Sequence, residues 1–310
     1  MRSERISILF NPSAGMGRAL KMRGALEERL RRHGILYDLA VTESGENLRD
    51  LARAHAKKYG IVVGAGGDST FQIVVNEIMR GNADVSFGMI AVGSSNDIAK
   101  EFGVDTLEKA CLALKGQRIK KIDIGCIYDC EKPTRFFLGQ ANLGVGVFVN
   151  QYVAGLAQGR SRLAKHQTAA GVLGIIRAYR NKRIPLPLIV ESDAVRMDGE
   201  FVAAVISNVR YWASGKLINP NALPDDGRLD LCLIRKCSLA RLARISSLAN
   251  RGKHARAKEV KFFQAPSFEI SSERPFEIQT DGEILKSLDH PTPFKKITFK
   301  IVPQCLNIVL

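Results

Sequence analysis

The chain has 310 residues, 45% hydrophobic and 25% charged, with a formal net charge of +15. That length suits about two domains of roughly 150 residues each, in an ordinary globular composition. No apolar stretch approaches the ~20 residues that span a bilayer, the N-terminus shows no signal-peptide pattern, and the six cysteines contain no CxxC pair. A membrane-spanning chain and a zinc module are therefore not expected, whereas reduced thiols in a cytoplasmic protein are.

From residue 5 to about 125, strand and helix signals alternate. Ile6–Phe10 reads as a strand and Ala19–His33 as an amphipathic helix. Leu36–Val41 is a strand and Glu46–Tyr59 a helix. Ile61–Val63 is a strand and Thr70–Met79 a helix. Phe87–Val92 is a strand, and Asp97–Phe102 begins another helix. Repeated β–α alternation predicts a parallel sheet covered on both faces by helices. Ligands of such sheets sit at the carboxyl ends of the strands.

Three glycine-rich turns follow these strands and are expected to converge on one edge. The first is Asn11-Pro12-Ser13-Ala14-Gly15-Met16-Gly17, in which Asn11, Ser13 and Gly15 suit either a phosphate cradle or a plain turn; no Walker lysine follows. The second, Gly64-Ala65-Gly66-Gly67-Asp68-Ser69-Thr70, ends in one carboxylate and two hydroxyls. Its glycines let backbone N–H groups approach an anion, and the following helix start adds positive potential. Asp68 suits a metal–phosphate or nucleotide contact, and Asp68 or Ser69 also suits a helix cap. The third is Gly93-Ser94-Ser95-Asn96-Asp97, where Gly93, Ser94 and Asn96 again fit either an anion site or a cap.

Beyond residue 122 the strands become closely spaced: Ile122–Tyr128, Arg135–Leu143, Leu186–Val190, Phe201–Ser207, Leu229–Leu233, Glu259–Phe263, Ser267–Ser271 and Phe276–Thr280. This predicts an antiparallel β-rich sandwich domain. Helical material interrupts it: a basic pair over 150–181, broken near Gly159, and a basic helix Leu239–Arg251. The expected division is 1–124 and 125–310, with the last strand, about 295–310, a candidate to return to the first domain.

Two more turns carry carboxylates. Thr280-Asp281-Gly282-Glu283 places two acids around a glycine at a strand end, suiting either a general base beside a Mg²⁺ ligand or a hairpin turn. Pro220–Asp230 holds the pair Asp225-Asp226 in a tight turn, suiting either a divalent cation or a hydrated loop.

The positive charge is uneven. Nine Lys/Arg and no acid lie between Lys132 and Val190, and eight more, again with no acid, between Leu231 and Lys258. Such fields attract anionic surfaces, at about 1 kcal/mol per basic residue next to an anionic membrane. No aromatic–basic interleaving or recognition-helix pattern is present, so nucleic acid is not an expected partner.

Taken in order, NPSAGMG, GGDST, GSSND, NLGVG (142–146), ISN…NPNALPDDGRLDL (206–231) and the late DGE resemble the diacylglycerol kinase catalytic family, with more distant kinship to NAD kinases and phosphofructokinases. The resemblance spans nearly the whole chain. It implies an α/β nucleotide-binding domain, a β-rich second domain and a cleft between them. ATP is the implied phosphate donor and Mg²⁺ the implied cofactor. Asn11, Thr42, Gly66, Gly67, Asp68 and Ser94 would be nucleotide contacts, Glu283 the catalytic base with Asp281 beside it. Asp226 would hold a structural Mg²⁺ with the carbonyls of Leu223 and Arg228.

The family has glycine where this chain has Ser69; were φ positive there, a side chain would cost about 1 kcal/mol. The expected acceptor is a lipid hydroxyl, diacylglycerol-like or sphingoid, reached from an anionic membrane surface. Leu163, Leu173, Ile175 and Ile176 line either the lipid entrance or the core. The alternatives are a kinase for a soluble NAD-like hydroxyl substrate and a non-catalytic nucleotide or phospholipid sensor. An edge strand of the second domain is a candidate homodimer contact.

Overall fold

The computed structural model describes residues 5–81, 84–129, 131–158, 167–285 and 294–310. It opens with β1 (Ile6–Phe10), α1 (Arg18–Arg32), β2 (Tyr37–Val41), α2 (Gly45–Lys58), β3 (Ile61–Gly66), α3 (Asp68–Arg80), β4 (Ser86–Ala91), α4 (Asp97–Glu101) and α5 (Leu107–Gly116). The four strands run parallel in the order β2-β1-β3-β4. β1 is buried along its whole length, as expected of a strand covered on both faces. One face receives Ala19, Leu26 and Leu30 of α1 with Ala110 and Leu114 of α5. The other receives Leu48 and Ala52 of α2 with Phe71, Val74 and Ile78 of α3. Strand order reverses between β1 and β3, the place where an open α/β sheet forms its ligand crevice.

The chain continues with β5 (Ile119–Asp129), β6 (Lys132–Phe137), β7 (Gln140–Gly144), α6 (Val145–Gln158), α7 (Gln167–Arg180), β8 (Leu186–Glu191) and β9 (Arg196–Ser207). A short hairpin, β10 (Tyr211–Trp212) with β11 (Lys216–Leu217), precedes β12 (Leu229–Arg235), α8 (Leu239–Ala249), β13 (Val260–Ala265), β14 (Ser267–Phe276), β15 (Ile278–Thr280), β16 (Glu283–Ile284) and β17 (Phe294–Val309). Pairings among these strands are antiparallel. Phe137, Phe201, Phe268 and Phe299 fill a core between them, and α7 and α8 close a second apolar cluster through Ala178, Leu242 and Ile245. β17 pairs with β14 and β5, and then, at Asn307 and Ile308, runs parallel to β4.

Three local differences from the sequence expectation have physical causes. The strand expected over Arg135–Leu143 is two strands, β6 and β7. The N–H groups of Leu138, Gly139 and Gln140, around the break, turn to the carboxylate of Asp281. The helix α5 was not expected, although Thr106 marks its start by accepting from the Lys109 N–H at 3.3 Å. The basic helical pair begins at Val145 rather than 150, and its break near Gly159, together with Leu163, lies outside the described residues. Among the described residues no helix is long and apolar enough to cross a membrane.

Candidate active site

The three glycine-rich turns do meet. Asn11 donates from Nδ2 to Thr70 Oγ1 at 3.0 Å and accepts from the Ser13 N–H at 3.1 Å, tying the first turn to the second. Thr70 is buried, its side chain packed where a Cβ on Gly66 would have to lie, so it supports the crevice from behind. Gly67 and Gly93 pack backbone to backbone. Gly15, at φ +61°, lies against Val92: an added Cβ would stand 2.9 Å from the Val92 carbonyl. Arg18, the first residue of α1, donates to the Gly93 carbonyl. Thr42 is buried at the end of β2, with its N–H on the Phe10 carbonyl at 2.9 Å. Ser13 and Ser94 are exposed at the rim.

Ser69 lies inside α3 and is not among the positive-φ residues, so the left-handed strain considered for it does not arise. Asn96 does adopt a left-handed conformation, φ +54°. It donates to the Gly93 carbonyl at 3.1 Å, while its Oδ1 is buried with no partner.

Asp68 joins the second turn to the third, accepting from the N–H groups of Asp97 and Ile98 at 3.2 Å each. Burial, and then the neighbouring Asp97, push its carboxyl up to about 6. Asp97 passes the link on. Its carboxylate accepts from the N–H of Ser214 at 3.0 Å and of Gly215 at 2.6 Å, in a loop where Ala213, Ser214 and Gly215 all have positive φ. Burial raises Asp97, opposed by those two hydrogen bonds. Ser95 and Ser214 share a hydroxyl contact at 3.1 Å, and Lys100 lies over the Tyr211 ring at 4.3 Å.

The late DGE turn docks on this assembly from the other end of the sequence. Gln72 of α3 hydrogen-bonds Thr280, and a Cβ on Gly282 would lie 3.9 Å from the Cβ of Ser69. Asp281, at φ +43° and 3% exposed, accepts from the N–H of Leu138 at 2.7 Å, Gly139 at 3.0 Å and Gln140 at 2.7 Å. Burial pushes its carboxyl up to about 7, against the pull of those N–H groups, with Asp68 adding to the rise. Asp281 therefore pins the β6–β7 break under the turn. Glu283 is the more open of the two acids, at 27% side-chain exposure. Arg135 holds it at 3.2 Å, and Arg49 of α2 lies 3.7 Å away. Arg135 is 13% exposed, with a buried Nε that has no partner.

Arg18, Arg49 and Arg135 neighbour the site and were not expected from the sequence; Arg18 alone carried a signal, as a cation at a helix start just after a glycine-rich turn. Asp97 was read only as part of the third turn, and its link to Ser214 and Gly215 was not expected.

Two places bring carboxylates together. Asp68 adds to the rise of Asp281, a crowding of carboxylates that a divalent cation relieves, and Asp68 is the more open of the pair. In the 220–230 loop, Asp226 accepts from the Arg228 N–H at 3.0 Å and from Gln264 Nε2 at 3.3 Å. The same amide reaches Asp230 at 3.4 Å. Burial raises Asp230 to about 6, Gln264 opposes the rise, and Asp226 adds to it. Gln264 thus sets Asp226 beside Asp230, the residue that ends the Pro220–Asp230 loop, and among the described residues no group of three or more candidate ligands is present. Leu223 is exposed in this loop, and Arg228 meets Asp226 through its N–H.

Residues 5–127 match the model of the diacylglycerol kinase catalytic domain, and residues 139–310 match that of the YegS C-terminal NAD kinase beta sandwich-like domain. A diacylglycerol kinase of Staphylococcus aureus is 26% identical over 283 residues, covering 90% of this chain and 86% of that protein. A Pseudomonas aeruginosa protein named "probable lipid kinase YegS-like" is 25% identical over 268 residues, covering 86% and 82%. The fold is similar to the crystal structure of a diacylglycerol kinase from Bacillus anthracis, with a TM-score of 0.70 at 16% identity, over 99% of this chain and 96% of that one.

Proposed function

We propose, from the premise that this chain belongs to the diacylglycerol kinase catalytic-domain family with a YegS-type C-terminal domain, that it transfers the γ-phosphate of ATP to a hydroxyl of a diacylglycerol-like or sphingoid lipid. Family membership makes it a phosphotransferase with an alcohol acceptor. The finer assignment rests on one observation: two turns over 200 residues apart in sequence lie side by side, with Gln72 just past the first bonded to Thr280 just before the second, and a Cβ on Gly282 would lie 3.9 Å from that of Ser69.

The glycine-lined crevice formed by Asn11, Gly66, Gly67 and Gly93 would seat the nucleotide phosphates, with α3 presenting its N-terminus to them. Arg18 and Lys100 add positive charge at its edge. Mg²⁺, when bound with the nucleotide, would supply further neutralisation of phosphate charge, with Asp68 the residue placed to hold it.

Glu283 would accept the proton of the attacking lipid hydroxyl. Arg135, 3.2 Å away, would fix the direction of this carboxylate. Asp281 would not exchange protons with the acceptor, since both of its oxygens are committed to the 138–140 backbone. Most of the rate would come from positioning and fixed dipoles. The acid-free basic stretches would bring the protein to an anionic membrane, and this binding would weaken as salt rises.

The deciding experiment follows labelled γ-phosphate from ATP into mixed micelles of diacylglycerol, monoacylglycerol, sphingosine, ceramide or total lipid extract, with NAD in solution and Glu283→Gln alongside. Organic-phase label lost in the variant is the expected result. Label on NAD alone would establish a soluble-substrate kinase. ATP binding without transfer to any acceptor would point to a sensor.

A further inference from the structure

Two adjoining cavities lie between α6, α7 and β14. The smaller, about 260 Å³, is lined by Phe148, Gln151, Tyr152, Arg177, Asn181 and Arg183, with Gly174 and Ala178 at its back. The larger, about 390 Å³, shares Phe148 and Arg183 and adds an apolar wall of Leu186, Pro275 and Phe276. Sizes of this order accommodate small organic ligands.

Two exposed guanidinium groups, those of Arg177 and Arg183, edge the smaller cavity, and no carboxylate lines it. Arg177 lies over the ring of Tyr152 at 5.9 Å and Arg183 over that of Phe148 at 5.5 Å. Stacking uses the face of a guanidinium and leaves its N–H edge free for a planar or tetrahedral anion. Arg274, on the larger cavity, is committed instead. Its N–H groups donate to the carbonyls of Lys182 at 3.0 Å, Arg183 at 2.7 Å and Pro185 at 2.7 Å, which fixes the backbone that carries Arg183. The acid of the larger cavity, Glu277, accepts from Gln151 at 2.8 Å. Gly174 lies close to this wall: an added Cβ would stand 3.3 Å from the Tyr152 ring, so a larger residue there would press α7 away from α6.

We infer that this pair of cavities is a binding site for a phosphate ester with an apolar tail, separate from the phosphotransfer crevice. The phosphate sits between Arg177 and Arg183, and the tail lies on Phe148, Leu186, Pro275 and Phe276. A phospholipid has both parts; free phosphate has only the first. The site adjoins the catalytic turn, because Asn150, next to Gln151 on α6, donates to the Gly282 carbonyl at 2.8 Å. It is independent of the acceptor assignment and stands or falls separately from it.

The test is calorimetric titration of the full chain with dihexanoylphosphatidylglycerol below its micellar concentration, with glycerol 3-phosphate, with inorganic phosphate and with uncharged dihexanoylglycerol. The phosphatidylglycerol is expected to bind at least tenfold tighter than inorganic phosphate. Arg177→Gln and Arg183→Gln are each expected to weaken it about tenfold, the scale of a lost charged hydrogen bond. Phe148→Ala should weaken the lipid ester and leave inorganic phosphate unchanged. Arg180→Gln, the same charge change outside the cavities, should have little effect.

Equal affinity for inorganic phosphate and the lipid ester would overturn the two-part site. So would an Arg180→Gln loss matching that of Arg177→Gln, or dihexanoylglycerol binding that falls in parallel. Melting curves establish that each variant is folded, and if Arg183→Gln is not, Arg177→Gln decides alone.

Discussion

Gly67 and Gly93 face each other with no side chain between them. A methyl on Gly67 would stand 3.3 Å from the Gly93 Cα, and one on Gly93 would overlap the Gly67 Cα. The two turns that they close follow β3 and β4, so this contact sets how closely the turns approach. Gly93→Ala is expected to force them apart, destabilise the chain by about 1–3 kcal/mol as overpacking does, and raise the Kd of an ATP analogue at least tenfold. Gly24→Ala, in α1 with nothing within 4 Å of the added methyl, is the control. It should gain about 0.5–1 kcal/mol and bind nucleotide normally.

The contact between Arg135 and Glu283 predicts coupled kinetics. Glu283→Gln should lower kcat by about 10²–10⁴, the range of a general base. Arg135→Met should lower kcat with little change in lipid KM, and Arg135→Lys should restore part of the loss. In the Glu283→Gln background, Arg135→Met should add almost nothing, as residues acting as one unit behave. Additive losses would show that Arg135 acts elsewhere.

Asp97 predicts a coupling defect. Asp97→Asn replaces one acceptor by an amide that faces the N–H groups of Ser214 and Gly215, leaving a buried donor unpaired at about 1–3 kcal/mol. A fall in melting temperature with a rise in KM for ATP is expected. A fall in stability alone would limit Asp97 to the scaffold.

His254 predicts a pH effect on stability. It is fully buried, its Nε2 contacts the Ile218 carbonyl at 2.9 Å, its Nδ1 has no partner, and it sits edge-on to Phe262. Burial lowers its pKa, opposed by the Ile218 bond. The unfolded state therefore takes up the proton first as pH falls. The stabilisation is complete above about 6.5, the unfolded value, and is lost on acidification through the folded value. The raised carboxyls of Asp68, Asp230 and Asp281 act in the opposite sense, so the informative quantity is a difference. His254→Gln keeps a donor for Ile218 and should remove a component of melting-temperature loss between pH 7 and pH 5. An unchanged pH profile would show that His254 does not titrate on unfolding.

The parallel sheet and its three turns were legible in the sequence because each turn is local: a buried apolar run, then glycines, then a helix start. What each polar side chain of those turns does was not, because its partner is remote. Asp281 and Glu283 stand out as a carboxylate pair, yet their different fates are set by the 138–140 backbone and by Arg135, about 140 residues earlier. The break between β6 and β7 was hidden for the same reason, since an apolar run with one glycine reads as continuous until Asp281 claims its N–H groups. Thr106 was a readable helix start. The left-handed run at 213–215 was not, since Ala and Ser do not advertise positive φ. Asp230 reads as an ordinary strand residue until Gln264 sets it beside Asp226.

The register of β17 has a consequence for synthesis. The parallel sheet of the first lobe has β4 as its flank, and Asn307 and Ile308 near the end of β17 pair with Ser86 and Phe87 there. A ribosome that has released the first 130 residues has released every glycine turn, but neither the strand that shields β4 nor the turn that carries Glu283. The β4 pairing and the Glu283 turn both await this late segment, so a chain stalled before that point leaves Ser86 and Phe87 without their β17 partners and lacks the proposed base. Loop closure over more than 200 residues also makes this a slow, high-contact-order step.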